Sequence, residues 1–416
     1  MVVEHKYNKS QKAFMNNTLT KSQVYFAGIC SLVVTVGVAR FSYTPLLPIM
    51  QAEAGLTETG GGWLATVNYI GYMIGVLIAA NLNNLHHKYV LQKLYLVLSV
   101  VTSAAMVISN DLYTWSFMRL IAGICASGGL IISSGLILKW LVNNGHRGEL
   151  GIHFSGIGMS IAVSAIIVEI LLQFSANWQQ QWLFFAAVAA IIAVPAWLWI
   201  PHPNNHSDHA QAAPKDNPPS KKFTRLFLLA YFCAGYGYVV SATFIVDIIE
   251  GLEGLEGQGA LSFVLIGLAA IPAVVLWDRV ARKYGYLKAL LGAYSLQIIG
   301  IMIPTLSDAF PLIALSAILF GGTFVACVSL VLTMAGHFFP SNPSKFMGKM
   351  TLAYGCAQII APFLTGLLAE TLGNYNLGLY LSAIVMVVGS GLILALKKIG
   401  EQSADSNKPR TLSVKT

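Results

Sequence analysis

The stretch Gly37–Pro48 reads GVARFSYTPLLP, and it places one arginine inside a run from about residue 24 to residue 50 that is otherwise almost wholly apolar. About 20 apolar residues suffice to cross a bilayer, so the run predicts a transmembrane helix. A charged residue inside such a helix costs about 3 kcal/mol on insertion scales and is retained where it faces other helices or water. Arg40 therefore either lines a cavity or locks the bundle by bonding to carbonyls of neighbouring helices.

The residues that follow Arg40 favour the cavity. Tyr43 and Thr44 lie three and four positions later and share its helix face. Pro45 and Pro48 come next, and because proline has no backbone N–H we expect them to loosen the helix toward that end. A cation, a phenol and a weakened backbone ladder on one face are typical of a lined cavity.

The composition identifies a membrane protein. Of 416 residues, 56% are hydrophobic and only 10% are charged, whereas about 25% of the residues of a soluble domain are charged. The five cysteines form no CxxC pair, so no disulfide framework and no metal site are expected. No P-loop or other cofactor motif occurs in the sequence, and no clustered nucleophile and base, so neither a cofactor, a primary pump nor an enzyme is expected.

Hydropathy predicts an all-α polytopic membrane protein with twelve spans. The predicted spans are approximately residues 24–50, 60–82, 90–109, 113–138, 150–174, 180–200, 223–250, 258–276, 286–304, 309–337, 346–370 and 375–396. One longer polar segment, rich in Pro, Asn and His, predicts a flexible linker. The expected parts are a tail at 1–23, a six-helix half at 24–200, the linker at 201–222, a second six-helix half at 223–396 and a tail at 397–416.

The basic residues predict the orientation. Of the 25 Lys and Arg residues, 23 fall in the tails and in the loops on the N-terminal side, while Arg40 and Arg119 lie within spans. The loops of the opposite side carry acids instead. This is the positive-inside pattern, so we expect both termini in the cytoplasm and the chain in the inner membrane. It also accounts for the net charge of +8 without a nucleic-acid partner.

The two halves repeat at an offset near 200 residues. The GVARF segment of the first span lies opposite Gly235–Phe244, GYGYVVSATF, in the seventh. Six plus six helices around a linker is the layout of a transporter with its substrate near the midplane between two parallel halves.

Polar residues on shared helix faces are the candidates for lining that site. Tyrosines could instead pack or anchor at the interface, and Arg119 could bond to span-end carbonyls. The candidate substrate-binding residues are Arg40, Tyr43, Asn68, Tyr69, Arg119, Tyr236, Thr243 and Gln358.

Two acids lie within spans, Glu169 and Asp247. A proton-coupled carrier needs a group that titrates during transport, so both are candidates for proton coupling. The alternative for each is a wet position near the outer end of its helix.

The loop after the eighth span reads WDRVARKYG, Trp277–Gly285. It resembles the cytoplasmic signature of the major facilitator superfamily, with Asp278, Arg279, Arg282 and Lys283 at matching positions. That resemblance implies a conformational latch in which the acid pairs with an arginine. The alternative is charge that only orients the chain.

Longer strings resemble one branch of the superfamily, the YbfB/YjiJ-like transporters. They are GVARFSYTPLLPIMQ, GGWLATVNYIGY, YFCAGYGYVVSATF, FGGTF and GCAQIIAPFLTG, in spans 1, 2, 7, 10 and 11. The resemblance implies the twelve-helix fold and secondary transport by alternating access. The fourth span also resembles the superfamily pattern R-x-x-x-G, which ties the buried Arg119 to substrate binding or proton coupling.

Together these features predict a secondary active transporter that moves a small organic solute, coupled to protons. Two buried cations favour an organic anion such as a carboxylate. The alternative is a proton-driven exporter of drug-like or toxic compounds, which the absence of the exporter signature in the fifth span disfavours. The expected partners are the solute, the lipid bilayer and a proton, and the expected state is a monomer.

Overall fold

Across the residues that the structure describes, the fold consists of twelve long helices, numbered α1–α12. The structure is a computed structural model that describes residues 19–146, 150–203, 216–339 and 343–406, and no strand occurs in these ranges. The helices are α1 Lys21–Ala54, α2 Glu58–Asn81, α3 Leu85–Ala105, α4 Leu112–Asn143, α5 Gly151–Gln173, α6 Trp178–Trp199, α7 Lys221–Glu250, α8 Gly259–Tyr284, α9 Tyr286–Met302, α10 Phe310–Phe338, α11 Pro343–Leu372 and α12 Asn376–Ser406.

The predicted all-α membrane fold is confirmed. Eleven of the helices in the described ranges are long and apolar enough to cross a membrane. The remaining helix, α3, lies where the third span was predicted, and it is less apolar because its first turns carry His86, His87, Lys88, Gln92 and Lys93. Most of the predicted N-terminal tail and linker, and the end of the C-terminal tail, lie outside the described residues.

Helix α1 is irregular around Arg40. Its segment Val33–Phe41 is π-helical, and the N–H of Ser42 donates to the carbonyl of Gly37, five residues back, at 2.9 Å. The sequence predicted a loosened helix at and beyond Pro45 and Pro48, but the π-helical segment of α1 precedes both prolines. Pro45 lacks the N–H that would donate to the carbonyl of Phe41, the last residue of the π-helical segment.

Helices α2 and α4 pack with their backbones almost in contact. A Cβ built on Gly123 of α4 would lie 1.9 Å from the backbone oxygen of Asn68, and one on Gly71 of α2 would lie 2.0 Å from that of Leu120. Small residues allow this approach, which strengthens van der Waals packing between membrane helices. The pairing fixes the first half of the bundle around α1.

In the described ranges, the most extensive contacts between the two halves are those of α2 with α11, α5 with α8, and α1 with α7. The hydroxyl of Thr66 donates to the carbonyl of Ile359 at 2.8 Å across the first pair. The hydroxyl of Thr44 donates to the carbonyl of Ala242 at 2.7 Å across the third. Helix α1 therefore lies at the centre of the molecule, between its own half and the second one.

The two ends of the bundle differ in charge. We call the end where the odd-numbered helices begin the basic end, because it carries the loop lysines and arginines. The opposite end is the acidic end, with Glu53, Glu58, Asp111, Glu253, Glu256 and Asp308.

We predict that Gly123→Ala destabilises the protein because its methyl group would collide with α2. Overpacking of this kind lowers the free energy of unfolding by about 1–3 kcal/mol. The matched control is Gly135→Ala on the same helix, where a Cβ meets no atom within 4 Å. The measurement is the temperature at which the monodisperse protein is lost on heating in detergent. Equal transition temperatures for the two variants would contradict the packing described for α2 and α4.

Candidate functional site

A small cavity lies where α1, α2 and α4 of the first half meet α7 of the second. Its free volume is about 10 Å³, close to what a single water molecule needs. The lining combines two guanidinium groups with hydroxyl, phenol and amide groups, and it contains no carboxylate. The lining residues are Arg40, Phe41, Tyr43, Thr44, Ala65, Asn68, Tyr69, Arg119, Ala242 and Thr243.

Arg40 is held by four aromatic rings, which we call the aromatic cage: Phe41, Tyr69, Tyr72 and Tyr238. Its Nη2 donates a 2.9 Å hydrogen bond to the phenol oxygen of Tyr238. Its Cζ lies 4.6 Å from the ring centre of Tyr69 and 4.9 Å from that of Tyr72. Cation–π attraction is strong where water is excluded, and Arg40 is only 9% exposed. The guanidinium thus faces the interior of the bundle and not the lipid.

The cage lies between the two halves of the chain. Arg40 and Tyr238 are 198 residues apart in the chain, and so are Thr44 and Ala242, which are hydrogen-bonded to each other. That separation is close to the repeat offset near 200 residues, so corresponding segments of the two halves meet here. A two-half carrier keeps its substrate at the interface between its halves.

Arg119 has features of both interpretations proposed for it. Its Nη1 donates to the carbonyl of Ala39 at 3.1 Å, as a lock would, and it also lines the cavity. Its Cζ lies 4.3 Å from the ring centre of Tyr43. The side-chain amide of Asn68 donates to the backbone carbonyl of Arg119 at 2.9 Å, which ties α2 to α4 beside the cavity.

Neither guanidinium is neutralised by the part of the chain that the structure describes. No ion pair joins Arg40 or Arg119 to a carboxylate there, and the Nε of each has no hydrogen-bond partner. A buried charge without a counter-charge is costly. Two of them around one cavity produce a positive potential that attracts an anion.

The other candidate substrate-binding residues divide into two groups. Tyr43, Asn68, Tyr69 and Thr243 line the cavity with the two arginines. Tyr236 and Gln358 are buried but lie outside this lining.

Sequence reasoning did not select Tyr238 and Tyr72, which complete the aromatic cage. The repeat offset was the signal that could have found Tyr238, since it pairs that residue with Arg40. Tyr72 follows Asn68 by four positions and so lies on the same helix face.

Neither of the two candidate coupling acids lines the cavity. Asp247, near the acidic end of α7, accepts a hydrogen bond from the phenol of Tyr375, and the amide of Gln51 on α1 donates to that phenol at 3.5 Å. These contacts join the halves at the acidic end. Glu169 is half-buried near the end of α5.

The predicted latch residues lie at the basic end of α8. Asp278 and Arg282 form an ion pair of 2.7 Å within that helix, while Arg279 and Lys283 are exposed. The neighbouring Trp277 links α8 to α10, because its indole N–H donates to the carbonyl of Gly322 at 2.8 Å. In the described ranges no group of three His, Cys, Asp or Glu side chains could hold a metal ion.

Two curated proteins resemble the chain over most of its length. It is 22% identical over 399 residues to the probable sulfoacetate transporter SauU of Cupriavidus necator, a match that covers 87% of this chain and 90% of that protein. It is 25% identical over 418 residues to a quinolone resistance transporter of Acinetobacter baumannii, a match that covers 88% and 90%.

Solved structures share the fold at low sequence identity. The nucleoside transporter NupG superposes with a TM-score of 0.70 at 14% identity, over 91% of this chain and 99% of that one. A bacterial homolog of the lysosomal transporter Spinster, inward-facing and unoccupied, superposes with a TM-score of 0.63 at 15% identity, over 91% and 97%.

The family is shown by a match along most of the chain. The family model described as "Uncharacterised MFS-type transporter YbfB" matches residues 32–394, which include every residue that lines the cavity. The chain therefore belongs to the YbfB-type family of major facilitator superfamily transporters.

Proposed function

We propose that this transporter carries a small organic anion across the membrane by alternating access. The observation that supports this most is the pair of guanidinium groups, Arg40 and Arg119, that share one cavity between the halves without a carboxylate partner in the described residues. An anion that enters the cavity supplies the missing counter-charge.

The donors around the cavity suit a carboxylate or sulfonate. Guanidinium groups bind such planar or tripodal anions through paired N–H donors, and the Nε of each arginine is unused. Thr44 and Thr243 add hydroxyl groups to the lining. Because the free volume of about 10 Å³ is too small for such a solute, binding requires the halves to move apart, as alternating access does.

The relative named as a probable sulfoacetate transporter supports the same solute class. Sulfoacetate carries two anionic groups on a short carbon chain, so it offers one group to each arginine. We therefore take it as the first probe, within a panel of small carboxylates and sulfonates.

We further propose that the protein works as a monomer in the inner membrane with both termini in the cytoplasm, and that Asp278, Arg279, Arg282 and Lys283 form a conformational latch. The support for the orientation is the placement of 23 of 25 basic residues on one side of the predicted spans. The support for the latch is the ion pair between Asp278 and Arg282.

A second candidate function is the export of drug-like compounds. A relative is named as a quinolone resistance transporter, and aromatic rings surround Arg40. Deleting the gene separates the two functions. An exporter leaves the deleted strain more susceptible to a quinolone, while an importer of an organic anion leaves it unable to grow on that solute.

We predict that Arg40→Gln and Arg119→Gln slow the uptake of radiolabelled sulfoacetate into proteoliposomes. Loss of a charged hydrogen bond is worth about 1.5–3 kcal/mol, so the ratio of maximal rate to KM should fall roughly 10- to 100-fold. Arg40→Lys, which keeps the charge and loses the paired donors, should lie between. The control is Arg225→Gln, an exposed residue at the basic end of α7 that belongs neither to the cavity lining nor to the proposed latch. Wild-type rates in both glutamine variants, for every transported member of the panel, would contradict the proposed site.

We also propose proton coupling through Asp247 or Glu169, and it can be tested in the same vesicles. An inward proton gradient should stimulate sulfoacetate uptake by the wild type. The neutral variants Asp247→Asn and Glu169→Gln should identify the coupling acid. The variant that lacks the coupling carboxyl group should lose the stimulation by the proton gradient but keep sulfoacetate exchange at equal pH. Stimulation that persists in both variants would assign the coupling elsewhere, and its absence in the wild type would remove the proton from the mechanism.

A further inference from the structure

An apolar groove runs along the outer surface of the first half, between α3 and α6. Its volume is about 320 Å³, within the range of ligand-binding pockets. The small side chains of Ala190 and Ala193 on α6 leave room for this groove. The groove shares no lining residue with the cavity between the halves. The groove is lined by Leu96, Val97, Val100, Val101, Ala190, Ala193, Val194, Trp197 and Leu198.

The groove opens toward the bilayer. Val97, Val101, Val194 and Leu198 are exposed apolar side chains from both of its walls. In a membrane, lipid chains cover such a surface, so the groove is filled by an acyl chain. What distinguishes this groove is the charge at one of its ends.

A lysine stands at the basic end of the groove. Lys93 lies one helical turn before Val97, and its ammonium is 4.6 Å from the ring centre of Trp197, which itself lines the groove. The ammonium is also 4.6 Å from the ring centre of Tyr89. No carboxylate pairs with Lys93 within the described ranges. Two aromatic faces thus hold a cation at the groove's mouth with its N–H donors available.

Two histidine rings lie beyond Tyr89 at this end of the groove. The ring of His202 lies 4.7 Å from that of Tyr89, and the ring of His86 lies 5.8 Å from that of His202. Tyrosine and tryptophan are enriched at the level of the lipid headgroups. The cluster of Lys93, Tyr89, Trp197 and the two histidines therefore lies where a headgroup would meet an acyl chain seated in the groove.

We infer that this groove binds an anionic phospholipid, with an acyl chain along α3 and α6 and the phosphate at Lys93. The charge complementarity selects a lipid with a net negative headgroup, such as phosphatidylglycerol, over the zwitterionic phosphatidylethanolamine. One basic residue near the membrane surface favours an anionic lipid about fivefold. The site is independent of the solute that the protein transports.

Native mass spectrometry of the intact protein tests this inference. The protein is released from detergent in the presence of equal amounts of phosphatidylglycerol and phosphatidylethanolamine with identical acyl chains. We expect the wild type to retain phosphatidylglycerol about fivefold more, and Lys93→Gln to retain the two equally. Lys139→Gln is the matched control, because it removes a half-buried lysine from the same end of the first half outside the groove.

A second variant tests the groove separately from the charge. Ala193→Leu fills the groove and keeps Lys93, so it should reduce the retention of both lipids. No preference in the wild type would overturn the inference. So would an equal loss of preference in Lys93→Gln and Lys139→Gln, or undiminished retention in Ala193→Leu.

Discussion

A positive charge buried at the meeting point of two six-helix halves is the constraint on which the rest of this structure depends. Arg40 is 9% exposed, and the described residues give it aromatic faces and one phenol oxygen but no carboxylate. Those groups reduce the free-energy cost of burying the charge, but they do not neutralise it. They come from α1, α2 and α7, so the same side chains that shelter the charge also join the halves.

The irregular backbone of α1 couples the two buried arginines. The π-helical segment ends at Phe41, and within it the carbonyl of Ala39 accepts a hydrogen bond from Arg119 while the next residue is Arg40. A shift of α1 against α4 would therefore disturb both cations together. π-helical turns are frequent at functional sites, and here the turn offers a carbonyl and a guanidinium side by side to the cavity.

The sequence was sufficient to predict the membrane helices and the buried arginines, because both depend on composition along single spans. It was not sufficient to decide which face of α7 meets Arg40. Tyr236 and Thr243 were the residues of α7 predicted to bind substrate, but Tyr238 makes the contact with Arg40, since the packing of α7 against α1 sets its rotation. The wide turn of α1 also depends on how its carbonyls are used by α4. The rotation of α7 and the wide turn of α1 both depend on contacts between helices, so the periodicity of a single helix does not reveal them.

In the proposed mechanism, α7 connects the anion site to the contacts between the halves at the acidic end. Tyr238 holds Arg40, and nine residues later on the same helix Asp247 accepts a hydrogen bond from Tyr375, which Gln51 of the other half also contacts. Nine residues of helix span about 13.5 Å. The backbone N–H of Thr59 on α2 donates to Glu370 on α11 at 3.0 Å and adds another contact between the halves at that end. An anion that draws Arg40 away from Tyr238 would loosen α7 at one point, and a proton on Asp247 would alter its contact with Tyr375 at another. Because anion binding at Arg40 and protonation of Asp247 both act on one rigid helix, α7 is the simplest connection through which one event can depend on the other.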